Sequence, residues 1–396
     1  MSSRSLAFVL SLTLGLPGCY LAHERPAPDA SSAPDASSAP CAWEALPAWQ
    51  LTRPPGDQSL LDLAAVPGGD FVVAWGSSND PPPDPVRHAQ HVGLTGPVGA
   101  RTDVFAAPRG FFVGGMGLAV GPSSILAATW DEGGCLARLL DREGAPLAPS
   151  RPLSLSSCVG VHAVGDGFAI FDRPGDAPAA LHRLDTDGAL VSSGPAIPVL
   201  DGAFWWGRAR LDDGTTLVVG MHDGVEPVRA SVQRVGASGE LLGEPLALPT
   251  FAAASRVRAL PLGDGALLAW LEQPEGDPRS QDRQVRAFRV DRDGIPLEAP
   301  RTLAAHAYRD AGLSLARAGD GVVAVFVESH EPLGIETTLV AQVLDASGGL
   351  SERIVLATGQ LARTPVARAG DAGIAVAFTA PGPGPTQVFL AGLVCR

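Results

Sequence analysis

The strongest constraint on this chain is a pattern that returns about every fifty residues: a turn rich in Gly and Asp, followed at once by a short apolar run. It occurs seven times, as PGGDFVVAW (67–75), GPSSILAATW (121–130), GDGFAIF (165–171), DDGTTLVVGM (212–221), GDGALLAW (263–270), GDGVVAVF (319–326) and GDAGIAVAF (370–378). With Asp70, Ser123, Asp166, Asp213, Asp264, Asp320 and Asp371 as marks, the spacings are 53, 43, 47, 51, 56 and 51 residues. Gly-Asp and Asp-Gly between extended runs signal hairpins, because both residues tolerate positive φ. A second turn follows each run: LDREGAPL (140–147), LDTDGALV (184–191), VGASGELL (235–242), VDRDGIPL (290–297) and LDASGGLS (344–351), with a degenerate VGLTGPV (92–98) in the first repeat.

Two hairpins make four strands, and seven such units, spaced by 43 to 56 residues, predict an all-β fold, a seven-bladed β-propeller. The two ends fit together. The seventh repeat stops after a third strand, TQVFLAGLVCR, while CAWEALPAWQLT (41–52) precedes the first repeat and supplies a fourth. A ring closed by this N-terminal strand has no exposed edges to invite aggregation. Tandem β-sandwiches, the rival arrangement, leave the complementary strand unexplained.

Three segments are expected: a leader (1–18), a tether (19–40) and the propeller (41–396). Residues 6–16, LAFVLSLTLGL, form an apolar stretch too short to span a bilayer core of roughly 30 Å. Leu16-Pro17-Gly18-Cys19 then resembles the lipobox of bacterial lipoproteins. That resemblance implies cleavage before Cys19, acylation of Cys19, and attachment to a membrane by several acyl chains. Tyr20 in place of an acidic residue implies, by similarity to lipoprotein sorting, the outer membrane, facing periplasm or cell surface. RPAPDASSAPDASSAP (25–40) has no apolar periodicity and reads as a semi-extended spacer. The repeats are similar to the G-G-F-x-V-x-W repeats of bacterial surface proteins, best at Gly68-Gly69-Asp70-Phe71-Val72-Val73-Ala74-Trp75, which supports architecture and export and transfers no active site.

Composition removes whole classes of chemistry. All 29 basic residues are Arg, so amine chemistry and the P-loop are excluded. A net charge of -13 without basic runs argues against nucleic acid. Of five cysteines, lipidation of Cys19 leaves four, which allow three pairings in an oxidising compartment. Cys41 opens the closing strand and Cys395 lies in its partner, so Cys41 with Cys395 would lock the ring, leaving Cys135 with Cys158.

No catalytic constellation is evident, and neither cofactor nor metal is expected. His88 and His91, three apart on a strand, face opposite sides. The Asp-x-Asp-Gly stretches at 185–188 and 291–294 lack the distal ligands of calcium loops and read as hairpin turns. Trp75, Trp130, Phe171, Met221, Trp270, Phe326 and Phe378 end successive second strands, which points to packing between blades. The adjacent Trp205 and Trp206 break that pattern and are candidates for stacking on a ligand. Arg210, Arg317 and Arg368 each precede their Asp mark by three residues, with Arg208 two earlier. They either converge on the channel to bind a carboxylate or sulfate, or pair locally with the turn Asp. The expected function is a monomeric, membrane-anchored binding or assembly module whose ligand is an envelope protein or polysaccharide. The alternative is a propeller enzyme acting on glycans.

Overall fold

A computed structural model describes residues 41–52, 57–77, 86–106, 115–158, 160–173, 179–203, 205–222, 228–249, 254–274, 282–308, 312–329, 336–359, 363–381 and 385–396. The expected leader, Cys19 and the tether lie outside the described residues. Each turn-plus-run of the sequence opens an antiparallel meander. In the third repeat Gly160–Val164, Gly167–Asp172, Ala180–Leu184 and Leu190–Ala196 pair in that order. The fourth repeats the plan with Trp205–Arg210, Thr216–His222, Arg229–Val235 and Leu241–Ala247. Meanders open likewise at Gln58, Met116, Ala254, Leu313 and Arg363. The strands form six sheets; the eight-stranded one consists of the fifth and sixth meanders, joined at the single pair Ala307 and Glu328. The described residues contain no α-helix, only one 3-10 turn at Pro198–Leu200.

The last meander is completed as its missing strand requires. Trp43–Gln50 runs antiparallel to Thr386–Cys395, pairing Trp43 with Cys395 and Gln50 with Phe389. Beyond that strand, Thr52 Oγ1 donates to Gln387 Oε1 at 3.0 Å and accepts from Val388 N at 2.9 Å. Cys41–Cys395 and Cys135–Cys158 are the disulfides.

Second strands sit mid-sheet between neighbouring blades and are buried on both faces, so they read as unbroken apolar runs rather than alternating ones. Phe71–Ser77 is buried throughout, whereas the peripheral Leu190–Ala196 is almost wholly exposed. The apolar core is divided into seven clusters, each drawn from two adjacent meanders, with the first meander meeting the last. Trp75, Phe171, Met221, Trp270, Phe326 and Phe378 are buried in these seams, and Trp130 packs partly into one. The recurring aromatic is thus the plug between blades.

Three of the second turns share one solution. Asp141, Asp185 and Asp291 each accept, through Oδ1, the backbone N–H groups two and four residues on, at 2.7 to 3.0 Å. The Gly three residues after each Asp has positive φ, for example 84° at Gly144, which a Cβ would oppose. The carboxylates of Asp185 and Asp291 are therefore committed to their own turns.

Candidate functional site

The first strands of the meanders lie side by side around a ring. Gln58–Ala65 packs against Met116–Val120 and Arg363–Gly370; Ala254–Leu262 packs against Trp205–Arg210 and Leu313–Ala318. Between the third and fourth blades the link is made by side chains: Arg208 Nη2 donates to Val161 O and Arg210 Nη1 to Ala163 O.

Strand register decides which arginines are equivalent. Arg208 is paired with Val218, and Arg368 with Ala375, each three residues before the aromatic or Met that ends its second strand. Asp62 opposite Ala74, Trp206 opposite Gly220 and Arg258 opposite Ala269 each lie one residue before it. Residues at odd offsets lie on the face opposite the aromatic or Met of their blade, so Asp62, Arg258 and Arg368 turn toward the following blade, whereas Met221 packs toward the fifth blade and Trp206 and Arg208 turn back toward the third. Arg317, opposite Val322, is offset by four from Phe326 and so turns to the other side. The cause is the hairpin: Asp320 is the second residue of its two-residue turn, while Asp371 is the first of its own. Counting from the Asp mark therefore slips the register by one, which exchanges faces.

The inner strands bring charges from four blades into one another's fields. Arg368 Nη2 donates to Asp62 Oδ1 at 2.8 Å, and Asp62 also accepts from Leu63 N at 2.8 Å and Leu118 N at 2.9 Å. Asp62 so ties the seventh, first and second blades. Arg208 and Arg258 both lie within the fields of Asp62 and Arg368, and burial holds each guanidinium down to about 10, with Asp62 opposing that fall. Both stay cationic at neutral pH. Arg258 donates to Val257 O at 3.0 Å, and Arg256 adds a further positive field beside it. A bulge between Ser255 and Arg258 inserts Arg256 with φ 57°, the non-glycine positive φ among the described residues. A second bulge precedes Asp62. Bulges re-aim side chains and recur beside functional sites.

At the third blade Arg208 Nη1 donates to His162 Nδ1 at 2.9 Å. The bond fixes the proton of this neutral imidazole on Nε2. Desolvation, then the charges of Arg208 and Arg210, holds the His162 pKa well below its ordinary value. Trp206, half-buried, lies 5.1 Å from the Phe171 ring, and Arg208 stands 5.3 Å from Phe171 and 6.0 Å from Trp206. Gly160 makes room for this group, since a Cβ there would lie 2.9 Å from the Trp206 ring and 3.1 Å from Arg208 Nη1.

Of the residues singled out in the sequence, Trp206, Arg208 and Arg210 face the third blade and Arg368 faces the first. None of the four arginines pairs with its turn Asp. Arg317 instead donates to Gly319 O at its own turn. The backbone of Trp205 pairs with Met221, and its side chain lies outside the described residues. His88 reaches Asp103 at 2.8 Å and His91 reaches Asp70 at 3.2 Å, on opposite faces of Val86–Gly93. Asp80, Asp84 and His330 lie outside the described residues. Sequence reasoning missed Asp62, His162 and Arg258. The available signal was a charged or polar residue inside an apolar inner strand, as in LLDLAA and GVHAV.

The sequence matches no family profile and no curated protein. Solved structures share the fold. The Dos1 propeller superposes with a TM-score of 0.51 at 11% identity, covering 88% of this chain and 95% of its own. Hydrazine synthase from Kuenenia stuttgartiensis gives 0.51 at 14%, covering 85% and 96%. The β-propeller domain of the Trilobed protease from Pyrococcus furiosus gives 0.50 at 12%, covering 84% and 95%. The chain is therefore a β-propeller. Where the Pyrococcus domain has an open velcro topology, this ring is closed through Trp43–Gln50.

Proposed function

We propose that this protein is a lipoprotein of the bacterial envelope, acylated at Cys19, whose seven-bladed propeller binds an envelope polysaccharide at its ring centre. The observation that carries the reading is the gathering of Arg208, Arg258 and Arg368 around Asp62 in a chain of net charge -13. Three cations around one carboxylate suit the holding of an anion, whereas glycosidic acid–base work needs two carboxylates. The exposed apolar side chains point away from a large docking face: Val98, Leu147, Val191, Leu297 and Leu350 belong to five different repeats. The lipobox at 16–19 and the Pro/Ala/Ser/Asp spacer support a tether that holds the ring off the membrane.

Two measurements on the full-length protein test this. Fractionation should move Cys19→Ala from membranes to the soluble pool, and retention in membranes would overturn the anchor. Incubation with purified envelope polysaccharides should show bound protein without newly released sugar ends. New ends would make the protein an enzyme, and no binding to any of them would overturn the module.

A further inference from the structure

We propose that a cleft on the second blade, with the Trp130 indole as its platform, binds a neutral pyranose unit of a saccharide. The cleft shares no residue with the ring centre and adds a second site, of different chemistry, to the binding module.

Trp130 is the exception among the seven residues that close the second strands. The other six are 3% exposed or less, whereas Trp130 packs only partly against the seam with the third blade and stays half-buried. Its indole N–H has no hydrogen-bond partner among the described residues, although a Trp that serves as core ordinarily finds one. The residue lines a cleft of about 600 Å³, within the roughly 300–1,000 Å³ of small-ligand sites. Asp131, Glu132, Ser154 and Ser156 line it too, and no basic side chain does among the described residues.

Both walls of the cleft are fixed before any ligand arrives. One is the turn between Ile125–Asp131 and Gly134–Leu140, where Gly133 N donates to Asp131 Oδ1 at 2.7 Å. The other is the segment 153–157. Leu153 N donates to Cys135 O at 2.8 Å, Cys135 N to Leu155 O at 3.0 Å, and Ser157 N to Asp172 Oδ1 at 2.8 Å. The disulfide Cys135–Cys158 clamps its end. Gly134, with φ 110°, lets the two walls meet, since a Cβ there would lie 2.8 Å from Leu155 O. Little remains to be ordered on binding, which conserves affinity in an open site. A pyranose presents an apolar C–H face rimmed by hydroxyls. The indole receives the face, and the rim meets the Glu132 carboxylate and the Ser154 and Ser156 hydroxyls, which have no partner among the described residues. Two carboxylates without a cation set the selectivity, because they repel an anionic sugar and accept hydrogen bonds from a neutral one.

The test is heteronuclear NMR of the tryptophan indole N–H groups in the purified full-length protein. It is titrated with cellotriose and with the matched trimer that carries a carboxylate in place of each hydroxymethyl group. Trp130→Phe assigns the Trp130 signal by its disappearance. Cellotriose should shift that signal, with an affinity at least about tenfold above that of the acid trimer read from the same signal. By calorimetry, Trp130→Ala should weaken cellotriose at least about tenfold, and Trp130→Phe, which keeps a ring, by no more than about threefold. Glu132→Gln removes one charge and should narrow the gap between the trimers. Circular dichroism of each variant separates a lost site from a lost fold. A Trp130 signal unmoved up to about 10 mM cellotriose, equal affinity for the two trimers, an unchanged Trp130→Ala or a gap untouched by Glu132→Gln would each overturn the proposal. If envelope polysaccharides bind while cellotriose leaves the Trp130 signal in place, the ring-centre reading stands and the cleft falls. If cellotriose binds through Trp130 while no envelope polysaccharide binds, the reverse holds.

Discussion

The two faces of one strand, Trp205–Arg210, make opposite kinds of seam. Toward the fifth blade it presents Gly207 and Ala209, and the backbones close in until a Cβ on Gly207 would lie 3.2 Å from Ala259 N and 3.3 Å from Arg258 Cα. Toward the third blade it presents Trp206, Arg208 and Arg210, whose long side chains span to Val161 O, Ala163 O and His162. One seam is shut by absence of side chain, the other is bridged by cations. The difference shows that blade spacing here is not uniform, and that the wider, charged seam is where the ring has polar groups to offer. A dry seam is stabilised by apolar burial and tolerates nothing extra. A bridged seam holds charge out of water at some cost, and so responds to pH and to ligands.

The largest effect should come from forcing the dry seam. Gly207→Leu must displace backbone rather than a flexible side-chain end, and overpacking of this kind costs about 3 kcal/mol. Urea unfolding should show a lower midpoint with the slope kept. A midpoint equal to that of the parent protein would mean the two seams are alike and the comparison is false.

Next in size is the acid response of the bridged seam. The His162 pKa is low in the folded protein, first through desolvation and then through Arg208 and Arg210, while the unfolded chain titrates near 6.5. Above that value both states carry a neutral ring and the group has no effect on stability. Below it the unfolded chain binds the proton first, so stability falls with acidification, by at most about 1.4 kcal/mol per pH unit for this one group. His182 is shifted the same way, with Asp172 opposing. Unfolding free energies measured from pH 7 to 5 should decline, and His162→Gln should flatten that slope. A parent protein whose stability rises over this range would break the argument.

How much of this was legible beforehand depended on whether the signal was local. The seven turn-plus-run units, the aromatic plugs and the missing fourth strand are written in short periodic segments, and each meander, apart from the strand Trp43–Gln50 that completes the last, forms from residues near in sequence. The ring centre is different, because it joins Asp62 to Arg368 across 306 residues. Its register is set by details that the repeat marks conceal. A shift of one place in a two-residue turn sends Arg317 to the opposite face from Arg368, and bulges before Asp62 and Arg258 leave no clear trace in the pattern. Arg208, two residues before Arg210, faces the third blade behind it, whereas Arg368 faces the first blade ahead of it. The arginines of the inner strands were thus visible as residues but not in the directions they take.

The smallest expected effect discriminates most finely between a seam that is bridged for stability and one that is bridged for function. Arg208→Met keeps length and flexibility but removes the donor to Val161 O and to His162 Nδ1. Two lost hydrogen bonds cost about 1 kcal/mol each. Against this, the variant no longer desolvates a cation, although it gives up the attraction of Asp62, which exceeds the repulsion from Arg368, and replacing buried charge by apolar volume is often neutral or better. The terms nearly cancel, so stability at pH 7 should change by less than about 1 kcal/mol. The His162 pKa should rise as one of the charges depressing it disappears, which proton NMR of the imidazole would read directly. A loss of several kcal/mol, on the order of that for breaking an essential buried ion pair, would mean that Arg208 is there to hold the blades together. A near-neutral change with a raised His162 pKa would mean that stability did not require an arginine at this position, and that its charge is retained for what the ring centre binds.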